Sequence, residues 1–366
     1  IDFSQVQALS EEEWAERVYQ SLKDAVGVRL MSEVPLGAFL SGGVDSSAVV
    51  GVMTEITGRP VVTASIGFDS EKFSEAEAAK QFAALVKADH HERIVSPDAV
   101  SVVEKLAWHY DEPFADSSAV PTYYVSKVAR EYVTVALSGD GGDENFAGYR
   151  RYRFDTAENR VRALLPASLR KPFFGTLGAL YPKLDWAPRP LRAKATLNNL
   201  SLDPARAYFN SVYGALVSQR DGLLGGDLVG HLNGYDPFTH FSDFFDRANT
   251  SDPLSRVQYV DMKTYLVDDI LTKVDRASMA VSLEVRCPLL DHEFMGLAAQ
   301  IPSSLKLKNG EGKYIFKKAI RKVVPESVLN RPKMGFSIPL ADWLRGPLKE
   351  LAEGTLLDKN ENLLNQ

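Results

Sequence analysis

One stretch of this chain decides its fold: Leu36-Gly37-Ala38-Phe39-Leu40-Ser41-Gly42-Gly43-Val44-Asp45-Ser46-Ser47. An apolar segment there runs into a glycine-rich turn and then into a helical pattern. The paired glycines allow positive φ angles and bring backbone N–H groups close to a ligand, and the two serines stand where a helix leaves its first amides unpaired. The turn therefore predicts a cradle for a nucleotide phosphate; a tight turn that holds no ligand is the alternative.

Composition narrows the class of protein. With 366 residues, 45% of them hydrophobic, the chain is long enough for two domains or for one large domain with an elaborate second lobe. The net charge of −6 disfavours nucleic acid as the main partner, because phosphate contacts need concentrated Lys and Arg. The single cysteine, Cys287, leaves no internal disulfide to form.

Targeting signals are the next feature. No apolar segment approaches the roughly 20 residues of a membrane span, and the first residues lack the layout of a signal peptide, so we expect a cytoplasmic protein that makes no membrane contact. Because the sequence begins at Ile1 and not at methionine, we expect a fragment or a trimmed product.

Strand and helix patterns alternate through the first part of the chain. Strands are predicted at 36–40, 61–66, 91–95 and 132–137, and helices at 11–31, 46–56, 74–86, 98–109 and in the segment that ends at 129. This order predicts an α/β fold with a doubly wound parallel sheet, whose ligands sit at the carboxyl ends of the strands. Residues 1–152 are the predicted nucleotide-binding core. Residues 153–366, where prolines interrupt helical patterns and no strand is evident, are predicted to form a mostly helical C-terminal region.

A second glycine-rich loop follows the last predicted strand. Residues 138–144, Ser-Gly-Asp-Gly-Gly-Asp-Glu, combine a permissive backbone with three carboxylates. Because Mg²⁺ is commonly held by one or two Asp oxygens together with substrate phosphates, Asp45 and Asp143 are the predicted metal ligands if the two loops converge. The alternative is a polar turn whose acids cap the next helix.

The first loop also resembles a known motif. SGGVDSS, residues 41–47, is similar to the PP-loop of ATP pyrophosphatases, and the chain contains no G-x-x-x-x-G-K-S/T pattern. In that family the loop holds the pyrophosphate that leaves when a substrate attacks the α-phosphorus of ATP. The resemblance implies a PP-loop core, similar to the adenine nucleotide alpha hydrolases, with ATP as cosubstrate, an adenylated intermediate and AMP as a product.

A wider resemblance covers the chain from about Trp14 to Leu348. It is carried by five segments: SGGVDSS, DEPFADSSAVPTYY, ALSGDGGDENFAGYRRY, KVDRASMAVSLEVRCPLLDHE and NRPKMGFSIPLADWL. As a set they resemble the synthetase half of the glutamine-dependent asparagine synthetases, whose relatives include β-lactam synthetases and other amide-forming enzymes.

The resemblance implies roles for individual residues. Those matching pyrophosphate-binding positions are Ser41, Gly42, Gly43, Asp45 and Ser46. Those matching positions around AMP are Leu40, Ile66, Gly67, Ser138 and Gly139. Asp45 and Asp143 match the magnesium aspartates, and Lys313 matches a lysine that neutralises pyrophosphate and the adenylation transition state. Tyr149 and Asp140 match positions that handle the intermediate, although Asp140 stands where some relatives have a longer Glu.

The implied activity is that of an ATP-dependent amide ligase. A carboxylate, expected to be the β-carboxylate of aspartate, would attack the α-phosphorus of ATP, and ammonia would then displace AMP to give asparagine. Glutamine-dependent members carry an amino-terminal glutaminase domain that begins with a nucleophilic cysteine, and nothing in this sequence corresponds to it. We therefore expect ammonia-dependent activity, with that domain trimmed away or supplied by another chain.

Other functions stay open on the sequence. A related amidotransferase or cyclase could act on a different carboxylate, as a β-lactam synthetase does, or on a sugar or peptide acid. From other classes come a tRNA-binding PP-loop protein, which salt-sensitive tRNA binding would reveal, and a nucleotide-binding scaffold without catalysis.

Overall fold

The computed structural model describes residues 1–68, 76–95, 99–184, 186–188, 192–332, 338 and 340–357. Contacts divide the chain into two units, the first made of Ile1–Gly148 and Thr264–Glu353 and the second of Tyr149–Lys263 and Gly354–Gln366. The change of unit after Gly148 lies close to the predicted boundary at residue 152. The return of residues 264–353 to the first unit had no signal in the sequence.

A five-stranded parallel sheet organises the first unit. Its strands are β1 (Leu36–Phe39), β2 (Val62–Phe68), β3 (Asp89–Val95), β4 (Val135–Leu137) and β5 (Glu284–Arg286). Their order across the sheet is β3-β2-β1-β4-β5, and each neighbouring pair is parallel. The order reverses between β1 and β4, which makes the gap beyond their carboxyl ends the topological switch point. The predicted α/β class and parallel sheet are confirmed.

Helices of the first unit cover the sheet and connect its strands. They are α1 (Glu11–Arg29), α2 (Val44–Thr57), α3 (Ala76–Val86), α4 (Ala99–Tyr110), α5 (Ala119–Arg130) and α6 (Gly142–Phe146). Besides β5, the described part of residues 264–353 contains a π-helix (Leu266–Leu271) and a short 3₁₀ helix (Pro288–Leu290). The bounds of the α-helices in this range are given below. The starts predicted at 74 and 98 for α3 and α4 lie outside the described residues.

The second unit is helical in its described part. Its helices are α7 (Arg150–Leu164), α8 (Ala167–Leu180), α9 (Lys194–Ser201), α10 (Pro204–Leu223), α11 (Gly226–His231), α12 (Phe238–Arg247) and α13 (Pro253–Lys263). The chain then returns to the first unit in α14 (Thr272–Met279), α15 (His292–Ala299), α16 (Ser303–Lys306), α17 (Tyr314–Ile320), α18 (Glu326–Leu329) and α19 (Leu340–Arg345). The last helix, α20 (Lys349–Leu356), contains the change of unit after Glu353. None of the helices in the described part of the chain is long and apolar enough to cross a membrane.

Two apolar cores, one on each face, make the sheet doubly wound. The first core joins α1, α2, α15 and α17 to β1 through side chains such as Trp14, Val50 and Phe316. The second joins α4, α5 and α14 to β2 and β4, with Tyr123 and Ala277 among its members. Because successive strand residues point to opposite faces, Ala136 belongs to the second core and Leu137 to the first.

The fifth strand is a correction to the sequence analysis, which found no strand beyond residue 152. Glu284 pairs with Val135 and Arg286 with Leu137, so β5 extends the sheet beside β4. It contains three residues, two of them charged. Three residues are too few for an alternation of polar and apolar side chains to be recognised in the sequence, and tertiary pairing makes this segment a strand.

A buried charged cluster in the second unit titrates abnormally. Arg162 lies 3.0 Å from Glu158 and 4.0 Å from Asp155, and all three side chains are buried. Burial raises the pKa of Asp155 to about 7, with the neighbouring charge of Glu158 adding to the rise and Arg162 opposing it. The folded chain therefore holds the Asp155 proton far more tightly than the unfolded chain does.

The sign of this shift makes a prediction about stability. A raised folded-state pKa contributes stability that is present below the ordinary value of 3.8 and is lost as pH rises towards 7. Asp155→Asn removes the titrating group. The free energy of unfolding of the variant, measured relative to that of the wild type, should therefore be higher at pH 8 than at pH 5 by roughly 2–3 kcal/mol. Urea unfolding at both pH values measures this, with the exposed Asp203→Asn as control. If the difference in unfolding free energy between variant and wild type is the same at both pH values, the prediction is wrong.

Candidate active site

The two glycine-rich loops converge at the switch point of the sheet. A Cβ added to Gly139, just after β4, would lie 2.7 Å from the backbone nitrogen of Ser46 at the start of α2. A Cβ at Gly142 would overlap the carboxylate of Asp45. The convergence that a shared metal site requires is therefore present, and it depends on glycine at these two positions.

The β1 loop is a tight turn that leads into α2. Gly42 adopts a φ of +69°, and a Cβ there would lie 2.6 Å from the backbone of Ala78 in α3. Gly43 is the N-cap residue of α2 and its amide donates to Ser41 Oγ at 3.2 Å. Ser41 Oγ also lies 3.0 Å from Ser46 Oγ. The hydroxyls of both serines thus line the turn next to the amino terminus of a 14-residue helix.

Lys313 brings the acids of both loops together. Its Nζ lies 2.5 Å from Asp45 Oδ2 and 2.8 Å from Asp143 Oδ1. The lysine side chain is 8% exposed and those of the two acids 19% and 16%. Three segments far apart in sequence, the turns after β1 and β4 and the turn before α17, therefore meet in a single charged group, here called the Lys313 triad.

The backbone holds the triad in place. Lys313 itself has a φ of +59°, which a lysine rarely adopts, and its amide donates to Phe146 O at 2.7 Å. A Cβ at Gly148 would overlap both Asp143 and Lys313, and one at Gly312 would overlap the carbonyl of Ala147. Backbone strain at a charged, buried side chain is typical of functional sites.

Electrostatics keep Lys313 protonated. Burial by itself lowers the pKa of Lys313, but the charges of Asp143 and Asp45 outweigh it and raise that pKa above its ordinary range. The ammonium is thus a permanent positive charge at the mouth of the two loops.

The residues predicted around AMP lie along the carboxyl edge of the sheet. Leu40 is buried directly after β1 and donates its amide to Ala64 O at 3.0 Å. Ile66 and Gly67 directly precede Phe68, the last residue of β2, and pair with Arg93 and Ile94 of β3. Ser138 follows β4 and donates its amide to Arg286 O at 2.9 Å.

Asp140 occupies the tip of the β4 loop. Ser138 Oγ donates to its Oδ2 at 2.8 Å and also lies 3.3 Å from Cys287 Sγ. Burial raises the pKa of Asp140, while the Ser138 hydrogen bond and the charge of Lys273 oppose the rise. Burial also raises the pKa of Cys287 to about 12, so its thiol stays protonated and is a poor nucleophile.

Tyr149 belongs to the second unit, where it is the N-cap residue of α7. The guanidinium carbon of Arg151 lies 3.9 Å from the centre of its ring. Its role in handling an intermediate stays a prediction.

Sequence reasoning missed the glycines that let the segments meet. Gly142 and Gly148 stand in one of the quoted motifs and Gly312 directly precedes Lys313, yet only the tertiary structure shows which atoms approach each of them. In the sequence Gly142 precedes Asp143 and Gly312 precedes Lys313, whereas Gly148 has no charged residue next to it.

The donor set of the triad fits a magnesium ion. Two carboxylates from different loops are what Mg²⁺ uses when substrate phosphates complete its shell. Within the described residues no group of three or more His, Cys, Asp or Glu side chains forms a metal site by itself. A metal at the triad would accordingly need phosphate oxygens as further ligands.

The fold and the site together define a class: a nucleotide-binding α/β protein whose ligand site lies at the switch point of a parallel sheet. Comparison with known families goes further, because the asparagine synthase family matches residues 17–366. The chain belongs to this family, whose members are ATP-dependent carbon–nitrogen ligases. The recognition made from the sequence motifs is confirmed.

Individual relatives show the extent of the match. Asparagine synthetase (glutamine-hydrolyzing) 1 of Bacillus subtilis (strain 168) is 35% identical over 354 residues, which are 95% of this chain and 53% of the relative. Asparagine synthetase (glutamine-hydrolyzing) 3 of the same organism is 25% identical over a region that covers 93% of this chain and 52% of the length of that relative. Amidase chry2 of Gibberella zeae is 26% identical over a region that covers 97% of this chain and 57% of the length of the amidase. The chain thus spans about half the length of these curated relatives.

The close approach of the two loops can be tested at Gly139. Its φ lies outside the left-handed region, so only lack of space demands glycine there. Gly139→Ala should lower the free energy of unfolding by about 1–3 kcal/mol, because its Cβ meets rigid backbone. Gly296→Ala, a helical position with nothing within 4 Å, should be neutral or stabilising by up to about 1 kcal/mol. Equal unfolding free energies for both variants would contradict the packing described.

Proposed function

We propose that this chain is an ATP-dependent amide ligase that adenylates the β-carboxylate of aspartate and then transfers ammonia to it. The observation that carries the proposal is the Lys313 triad, in which an ammonium ion sits within 2.8 Å of one acid from each of the two glycine-rich loops. Family membership supports the reaction class, and the similarity to asparagine synthetases supports aspartate as the acceptor.

In the first step an acceptor carboxylate oxygen attacks the α-phosphorus of ATP, and the bond to the departing pyrophosphate breaks. The amino terminus of α2 and the β1 loop would hold that pyrophosphate through Ser41, Gly42, Gly43, Asp45 and Ser46. Lys313 would act on the negative charge that grows on the leaving group, which is where an interaction raises the rate rather than only the affinity.

Asp45 and Asp143 would hold Mg²⁺ together with phosphate oxygens of ATP. The ion, when bound, screens negative charge on the phosphates. Leu40, Ile66, Gly67, Ser138 and Gly139 would surround the AMP portion, as their position along the carboxyl edge of the sheet suggests.

In the second step ammonia attacks the carbonyl carbon of the acyl-adenylate. A C–N bond forms, the C–O bond to AMP breaks, and one proton leaves the nitrogen to give the neutral amide. Tyr149 and Asp140 are the residues we assign to this intermediate. The ammonia would come from a glutaminase domain on the same or another chain, or from free ammonium.

The proposal is tested by incubating the 366-residue chain with ATP, Mg²⁺ and ammonium and a panel of carboxylic acids. Aspartate should give AMP, pyrophosphate and asparagine in equal amounts, with asparagine identified by mass spectrometry. Turnover with another acid and none with aspartate would keep the chemistry and overturn the substrate. Absence of AMP with every acid, despite measurable ATP binding, would overturn the activity of this chain alone.

Lys313 provides a test of mechanism. Lys313→Met should lower kcat by about 10²–10³-fold, in the range seen when a transition-state donor is removed, while the Kd for ATP with Mg²⁺ changes by less than about tenfold. Lys317→Met, one turn further along in α17 and paired with Glu311, is the matched control and should leave both constants near the wild-type values. Equal losses in kcat and in ATP affinity would show that Lys313 serves ground-state binding instead.

A further inference from the structure

The turn that presents Lys313 is bound by a helix that supplies no residue to the Lys313 triad. This turn, residues 308–313, is here called the lysine turn. It contains an antiparallel bridge between Lys308 and Glu311, and both Asn309 and Lys313 have positive φ angles, of +52° and +59°. Positive φ at a residue other than glycine costs free energy, and it persists only where the surrounding structure imposes it.

One carboxylate of α1 receives hydrogen bonds from both sides of Lys313. Glu11, in the first turn of α1, accepts from Lys308 Nζ. It also accepts from Tyr314 Oη at 3.0 Å and from Lys318 Nζ at 3.2 Å. Lys308 opens the lysine turn, Tyr314 directly follows Lys313, and Lys318 lies one turn further along α17. Glu11 therefore fixes the chain before and after the lysine of the triad.

The start of α1 is itself fixed. Ser10 and Glu13 form a capping box, in which Ser10 Oγ accepts from the amide of Glu13 at 3.3 Å and Glu13 Oε2 accepts from the amide of Ser10 at 2.9 Å. Before the helix, the ring of Phe3 is buried with Lys306 Nζ 5.2 Å from its centre. Helices α1 and α17 also share the first apolar core. Glu11 is thus an anchor whose own position is set by other contacts.

Charge keeps this anchor in place at neutral pH. Hydrogen bonds from Lys308 and Tyr314 lower the pKa of Glu11 to about 2, although burial opposes the shift. The same contact with Glu11 raises the pKa of Lys308. The side chains of Glu11 and Lys308 are 28% and 35% exposed, and a single ion pair of that exposure contributes little stability. The anchor depends on three donors that share one carboxylate, and its effect is on local geometry.

A second ion pair in the lysine turn does not tie the turn to another element. Glu311 pairs with Lys317 at 2.6 Å, and both belong to the turn and the helix that follows it. Their contact joins neighbouring parts of one segment. Glu11 lies 297 residues before Lys308 in the sequence, so its contacts fix the turn relative to α1.

We propose that Glu11 is a positioning residue of the ligase, which fixes the lysine turn so that the ammonium of Lys313 stays between Asp45 and Asp143. The kinetic consequence rests on the proposed function. A group that acts on a transition state loses much of its effect when it is displaced, by up to about 100-fold in rate for a shift of 1 Å. Loss of the anchor cannot cost more than loss of the lysine that it positions.

The test replaces Glu11 by a neutral side chain of the same size. Glu11→Gln should lower kcat by about 3- to 30-fold, which is less than the loss expected for Lys313→Met, and leave the Kd for ATP with Mg²⁺ within about twofold. Pyrophosphate release with aspartate and ammonium measures kcat. Glu12→Gln is the matched control, because Glu12 is the next residue and pairs at 2.6 Å with Lys318, beyond the lysine turn. It should leave both constants as in the wild type.

A double-mutant cycle separates positioning from a general loss of stability. In the Lys313→Met background, Glu11→Gln should not lower kcat further, because the group that it positions is gone. Tyr314→Phe removes one of the three donors to Glu11 and should cause a smaller loss in the same direction as Glu11→Gln. If Glu11→Gln lowers kcat by the same factor in both backgrounds, the assignment is wrong.

The geometry of the turn can also be measured without turnover. The amide of Lys313 donates to Phe146 O at 2.7 Å, so its hydrogen exchange reports on the lysine turn. Glu11→Gln should accelerate exchange in the peptide that spans residues 308–314 by about 3- to 10-fold and leave exchange in α2 unchanged.

The two measurements distinguish failure of the anchor from failure of the proposed function. If Glu11→Gln accelerates exchange in the lysine turn but the wild type releases no pyrophosphate with any acid, the proposed function fails and the anchor stands. If the wild type is active and Glu11→Gln has the same kcat, the function stands and the positioning role is overturned, whatever the exchange shows.

Discussion

The ion pairs of Lys313 with Asp45 and Asp143 are the interaction on which the rest of the site depends. A buried ammonium is stable only because both acids approach it, and removal of one partner from such a group typically costs about 3–5 kcal/mol. Each partner comes from a different segment, so the group also ties together the turns after β1 and β4 and the turn before α17. The same contacts that hold these segments leave a fixed positive charge where phosphates would lie.

That arrangement requires backbone to approach backbone and side chain very closely. Gly139, Gly142, Gly148 and Gly312 each face an atom that a Cβ would strike. At these four positions glycine serves close packing and not an unusual backbone conformation, since none of the four has a positive φ. Glycine at these positions thus stabilises one geometry of the site, although the residue is usually associated with freedom of the chain.

A second charged group, formed by Asp116, Lys273 and Asp269, also joins segments that are far apart in the sequence. Asp116 and Lys273 are 157 residues apart, and the contact between α5 and α14 brings them together. A π-helix then presents Asp269 to the same place.

The amino-acid sequence by itself determined the class of the fold, the positions of β1, β2, β3 and β4 and the two loops that follow β1 and β4. These features are local: an apolar run ends in a glycine turn, and a helical pattern begins. Lys313 was identified only through the family resemblance, because a lysine before a short helix has no local signal. Tertiary structure alone decided β5, the return of residues 264–353 to the first unit, and the ion pair of Lys273 with Asp116. The physical reason is that pairing in a parallel sheet and contact between helices join residues far apart in the chain, and no periodicity within one segment records them.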